Sequence, residues 1–175
     1  MGPGKVTPTG VERRMGLQDV IMSRTDPRGL ITDCNEVFVD FSGYSLPELK
    51  GSPHSIIRHP EMPRAVFKWM WQEIQAQREA FLFIKNLAKD GRHYWVVAQV
   101  LPEIVRGEIT GYLSFRRCPG RRGVDTFDTL YKKLRYEELR VGGEAGMDAS
   151  FKILTAAFKA MGKLYDSLIY DEPTA

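Results

Sequence analysis

Apolar positions along the chain recur in two rhythms. "AFLFIKN" (80–86) is a near-continuous apolar run, and "RHYWVVAQVLPEIV" (92–105) carries apolar residues at both parities. "TGYLSFRRC" (110–118) is the third such segment. The turns between them are "KDG" (89–91), where Asp-Gly favours positive φ, and "RGEI" (106–109). These signals predict three antiparallel strands in succession. The rhythm changes in "MPRAVFKWMWQEIQAQ" (62–77), where Val66, Met70 and Ile74 recur at i, i+4, i+8 beside Phe67 and Trp71, predicting a helix. Upstream, "QDVIMSRTD" and "LITDCN" flank "PRG" as a hairpin. "NEVFVDFSGY" presents Val37, Phe38 and Phe41 on a short helix ended by Gly43, and "SLPELKG" adds a capped turn. The order is strand, strand, short helices, longer helix, then three strands. It predicts an α+β domain, a five-stranded antiparallel sheet with helices on one face.

After "PGRRG" the pattern becomes helical throughout. "DTFDTLYKKLRYEELR" is amphipathic, with Asp125 placed to cap it or to complement its dipole. "VGGEAG" interrupts it, and Asp148 opens a last helix in which Phe151, Leu154, Phe158, Met161, Tyr165 and Leu168 alternate by three and four. That seam suits docking on the domain, dimerisation or a partner. The expected division is a flexible, Gly- and Pro-rich segment over 1–17, a core domain over 18–119, and an extension over 120–175 with helices at about 125–141 and 148–169.

Composition narrows the class. In 175 residues, 43% hydrophobic and 27% charged, there is apolar material for a packed core. A net charge of +3 does not by itself imply nucleic acid. Cys34 and Cys118 form no C-x-x-C pair, which argues against a disulfide framework or thiolate zinc site and fits a reducing compartment. No stretch reaches the ~20 apolar residues of a membrane span, "MGPGKVTPTG" lacks a signal peptide's apolar run, and Val6 breaks the myristoylation pattern. A cytoplasmic location with no membrane insertion is expected.

Catalytic and metal motifs do not assemble. His54 and His59 are five apart, which is not a zinc protease's helical pair. There is no G-x-S-x-G elbow, phosphate loop or G-x-G-x-x-G, so no enzymatic activity and no metal site are expected. The basic cluster "RRCPGRR" (116–122) has no aromatic platform or recognition helix and reads as a solvated loop.

Five stretches carry a family resemblance: "TDPRGLITDCNEVFVDFSGYSLPELKG", "GSPHSIIRHPEMPRAVFKWMW", "IKNLAKDGRHYWV", "GEITGYLSFRRCP" and "LYKKL". Together, over roughly Gln18 to Tyr136, they resemble the PAS sensor domains of bacterial aerotaxis receptors. That family typically reads close to R-H-P-D-M-P where this chain has Arg58, His59, Pro60, Glu61, Met62 and Pro63. The chain departs at Glu61, at Ala80 and Phe81 near a position that often carries Trp, and at Leu87 and Ala88 where the receptors often have two Arg.

The resemblance implies non-covalent FAD, sensing of redox or energy state, and a stand-alone protein signalling to a chemotaxis transducer. It also implies roles. Arg58 and His59 would face the pyrophosphate, and Glu61 would orient them or accept from ribose. Asn35 and Asn86 would read the ring's polar edge, although Asn35 also suits a helix cap. Trp71, Phe83, Trp95 and Leu113 would line the ring slot or simply be core. Two alternatives stay open. One is a haem sensor using His59 or His93. The other is a cofactor-free interaction module that homodimerises through its flanks or the terminal seam.

Overall fold

The computed structural model describes residues 6–171. Five strands form one antiparallel sheet in the order β2-β1-β5-β4-β3, from β1 (Val20–Thr25), β2 (Ile31–Cys34), β3 (Ala80–Leu87), β4 (His93–Val105) and β5 (Glu108–Arg117). The expected sheet is present. Between β2 and β3 lie α1 (Glu36–Ser42), α2 (Leu46–Leu49), a 3₁₀ turn (His54–Ile57) and α3 (Arg64–Gln75). These cover the sheet's inner face. After β5 come α4 (Arg121–Val141), α5 (Gly143–Met161) and α6 (Lys163–Ile169). They cover the outer face at β3 and wrap past that edge to α3.

Coverage on both faces explains the apolar runs. On β3, Ile84 and Asn86 point inward, while Phe83 stacks on Phe127 of α4 at 4.5 Å and Phe81 meets Tyr170. A strand buried on both sides cannot alternate apolar with polar. Gly123 of α4 makes the Phe83 contact possible, since a Cβ there would lie 2.3 Å from the ring. Because β3 is an edge strand, its outward carbonyls need partners from elsewhere. Tyr131 Oη donates to Phe83 O at 2.8 Å, and Tyr165 Oη donates to Phe81 O.

Three expectations for the flanks change. Of the segment 1–17, residues 1–5 lie outside the described residues; beyond them the chain is held rather than loose. Thr9 N donates to Gly91 O and Arg13 N to His93 O, while His93 N donates to Val11 O. Glu12 bridges in parallel to His93, so the backbone continues the sheet's hydrogen bonding, and the Glu12 carboxylate accepts from Arg121 at 2.9 Å. The C-terminal extension has three helices, not two. Only Gly142 (φ 77°) separates α4 from α5, and Gly162 (φ 47°) splits the expected last helix. Asp125 and Asp148 therefore sit inside helices: Asp125 pairs with Arg121 at 3.3 Å and Asp148 with Lys68 at 2.6 Å. The seam is folded onto its own domain, with Leu154 and Leu168 buried and Phe151, Phe158, Met161 and Tyr165 packed against the core.

The basic cluster also differs from a solvated loop. Arg116 is 4% exposed, Arg117 donates to Ile169 O, and Arg121 opens α4. Only Cys118, Pro119 and Gly120 separate the strand from the helix, so the four arginines are divided between β5 and α4, with Arg121 and Arg122 exposed.

Tyr131→Phe removes the hydroxyl that satisfies the buried Phe83 carbonyl. The expected cost is about 1–2 kcal/mol, read as a lower denaturant midpoint with an unchanged slope.

Candidate functional site

The inner face of the sheet and helix α3 enclose a cavity of about 200 Å³. Its apolar wall comes from Phe67, Met70, Trp71 and Ile74 of α3 with Ile84, Ala98 and Val100 of the sheet. Helical spacing puts the four α3 residues on one stripe. Trp71 is seated by Tyr112, edge to face at 5.3 Å, and by Gly29, where a Cβ would lie 3.2 Å from the indole.

The polar wall comes from the strands. Ser23 of β1, Asn86 of β3, and Ser114 and Arg116 of β5 all point inward, joined by His54 from the 3₁₀ turn. Asn86 Nδ2, Ser114 Oγ and Arg116 Nη1 are buried and have no partner within the protein. Native interiors rarely leave such groups unpaired, and here three face one space. At the mouth, Arg58 stacks its guanidinium over Phe67 at 3.9 Å, and its backbone bridges to Asn86. Burial pulls the Arg58 pKa below the usual guanidinium range.

The residues expected from the sequence divide sharply. Arg58, Trp71 and Asn86 are brought together at the cavity. Asn35 lies outside it as the N-cap of α1, where Oδ1 accepts from Phe38 N at 3.1 Å and Met22 N at 3.0 Å and Nδ2 donates to Val20 O. Phe83, Trp95 and Leu113 lie on the opposite sheet face. Phe83 meets Phe127, Trp95 stacks near Tyr131 at 6.2 Å, and Leu113 pairs across with Leu101 and Arg24. Strand parity decides this: Phe83 is an odd number of residues from Asn86, so the two cannot share a face.

His59 and Glu61 also stand away from the cavity. His59 is buried, its Nδ1 accepting from Glu61 N at 3.2 Å and its ring edge-on to His93 at 5.8 Å. Burial first, then the Lys85 charge, holds its pKa down to about 4. The 3.8 Å contact of His59 with the Glu61 carboxylate is therefore not an ion pair at neutral pH. That carboxylate pairs with Lys85 at 2.6 Å.

Sequence reasoning missed Ser23, His54, Ser114 and Arg116. The signal lay in β5. Leu113 and Phe115 look like an inward pair, yet Tyr112, Ser114 and Arg116 are the inward set. A central strand whose polar parity is buried marks a site rather than a solvent face.

Comparison with known proteins agrees with this fold. A family model described as the PAS fold matches residues 31–114. The chain contains a PAS domain. It is 41% identical over 114 residues to the Aerotaxis receptor of Escherichia coli (strain K12), covering 65% of this chain and 22% of the receptor. It is 31% identical over 117 residues to the Nitrogen fixation regulatory protein of Klebsiella pneumoniae, 66% of this chain and 23% of that protein. The chain thus spans less than a quarter of these relatives. Among solved structures, the light-state blue-light photoreceptor Aureochrome1 LOV aligns with TM-score 0.53 and 24% identity, over 69% of this chain and 91% of that one. A light-oxygen-voltage domain studied with a flavin analogue aligns with TM-score 0.54 and 19% identity, over 62% and 82%. At these identities the likeness is one of fold alone. Among the described residues no helix is long and apolar enough to cross a membrane.

His59 generates an acid-sensitivity prediction for the PAS domain. Its folded pKa, about 4, lies below the ordinary 6.5, so the unfolded chain binds more protons between those values. Stability present above pH ~6.5 is lost as pH falls toward ~4, on the order of 1–3 kcal/mol. His59→Phe is expected to flatten the fall in Tm between pH ~6.5 and ~4; an equally steep fall in the variant would count against it.

Proposed function

We propose that this PAS domain binds FAD in the cavity beside α3 and reports redox or energy state to a chemotaxis transducer. The observation that carries the reading is the convergence of Asn86 Nδ2, Ser114 Oγ and Arg116 Nη1, buried and unpartnered, on a space otherwise walled by apolar side chains. Such a space suits a planar ring system with one polar edge. A bound flavin would supply the electron-transfer chemistry. The three side chains would donate to the ring's polar edge, with Asn86 able to turn its amide to donate or accept. Trp71, Met70, Ile74 and Ile84 would exclude water. Arg58, at the mouth and free of any carboxylate pairing among the described residues, would meet phosphate oxygens. The 41% identity to a protein named for aerotaxis supports the same reading.

Helix α3 offers a route outward. Its cavity stripe is Phe67, Met70, Trp71 and Ile74, while its other side is held by the C-terminal helices. Glu138 of α4, 5% exposed, accepts from Ala65 N at 3.0 Å and so caps α3, whose own N-cap is Pro63. Lys68 pairs with Asp148, and Trp69 packs edge-on against Phe158 at 4.9 Å. Altered hydrogen bonding in the cavity would shift α3, and α4 and α5 would follow as a population shift.

His59 and His93, the imidazoles considered for haem, meet each other away from the cavity. A cofactor-free interaction module is the second reading, favoured by one observation. The cavity's roughly 200 Å³ falls short of the ~300–1,000 Å³ usual for ligand sites.

An absorbance spectrum of the purified protein separates these readings. Flavin bands near ~370 and ~450 nm are expected, and a colourless protein that takes up no added FAD would sink the proposal. With flavin bound, Arg58→Ala is expected to weaken its retention about tenfold. Reduction is expected to change amide exchange in α3 and α5 more than in β2; uniform exchange would remove α3 as the route.

A further inference from the structure

The flavin reading explains why the cavity has donors, but not why one of them is a charge. Arg116 is 4% exposed, and among the described residues no carboxylate pairs with it. Its Nη2 donates to Ser23 Oγ at 2.9 Å and contacts His54 Nε2 at 2.6 Å, while Nη1 has no partner. A guanidinium has no lone pair to offer, so Nε2 must be the acceptor and His54 must carry its proton on Nδ1. Burial and the Arg116 charge both hold the His54 pKa well below the ordinary value, which keeps that acceptor available. Phe38 stacks on the His54 ring at 5.7 Å with 9° between planes, fixing it. Phe38 also lies 5.5 Å from the guanidinium carbon. The guanidinium is thus gripped by one of its arms, and the other faces the cavity.

Such an arrangement costs the empty fold stability, because a buried charge with only neutral partners is poorly compensated. A purely structural residue at this position would be better served by a neutral side chain. We propose that Arg116, oriented by Ser23 and His54, is a ligand-recognising residue that favours the redox form of the bound ring carrying the greater negative charge. The proposal rests on the flavin reading above. It assigns separate tasks to the polar wall: Asn86 and Ser114 recognise the ring in either state, while Arg116 discriminates between states. Ser23 and His54 act as positioning residues.

The test uses the full chain and FAD, with affinity measured by titration in the oxidised state and after dithionite reduction. Two results are expected of Arg116→Met. The Tm of the FAD-free protein should equal or exceed the wild-type value, since the uncompensated charge is gone. The ratio of reduced to oxidised affinity should fall at least tenfold, a drop of about 30 mV in a two-electron potential. An unchanged ratio overturns the proposal, and a lower FAD-free Tm with that ratio unchanged makes Arg116 structural. Arg116→Lys covers the case of a misfolded Met variant. It keeps the charge but cannot grip Ser23 and His54 while reaching the cavity, so the ratio should fall at least ~3-fold; a wild-type ratio in this variant also overturns the proposal. Failure of wild-type protein to bind FAD in either state instead removes the flavin reading itself.

Discussion

Coverage of the sheet on both faces governs the rest of this molecule. With α1–α3 on the inner face and α4–α6 over the outer face at β3, polar groups on the strands have little water to fall back on. Each must find a partner in the protein or be left for a ligand. On the outer side the edge carbonyls of Phe81 and Phe83 are taken by Tyr165 and Tyr131, while His93 Nδ1 stays unpartnered. On the inner side the demand is met only in part. Asn86, Ser114 and Arg116 keep unpaired polar atoms, and all three face one cavity. The same constraint that makes β3 a continuous apolar run therefore makes those exceptions informative.

Helix α3 ties the two sides together. Phe67, Met70, Trp71 and Ile74 wall the cavity. Ala65 is capped by Glu138, Lys68 pairs with Asp148, and Trp69 lies against Phe158. Trp69 and Trp71, two positions apart on a helix, are about 200° apart around its axis, so one belongs to the cavity and the other to the C-terminal helices. The extension is thus packed into the core through α3 and β3, and an event in the cavity has a short mechanical path to it.

Much of this was legible in the chain. Two periodicities and three Gly-containing turns carry the five strands and the long helix. Gly43 does end α1 in the left-handed region, and Ser45 with Glu48 does form a capping box. Arg58, Trp71 and Asn86, whose chemistry suits a ring and its phosphates, do meet at the cavity. Residue type alone does not place a side chain at the cavity. Phe83, Trp95 and Leu113 are good ring-stacking residues on the wrong parity, Asn35 is occupied as a cap, and His59 with Glu61 turns to His93 and Lys85.

Local physics is written residue by residue: which stretches are strand or helix, where turns need glycine, which helix faces are apolar. The sequence by itself determined those features, because each depends on neighbours only a few positions away. Only the tertiary structure decided which face of each strand would be the inner one. At β3 and β4 both faces are covered, so an apolar parity there no longer marks the interior; that choice rests on contacts such as Phe83 with Phe127, far apart in the chain. The same long-range packing buried Arg116 beside Ser23 and His54 instead of leaving it in a basic loop. Its burial and its missing counter-charge come from three distant segments closing around it, and no local pattern encodes that.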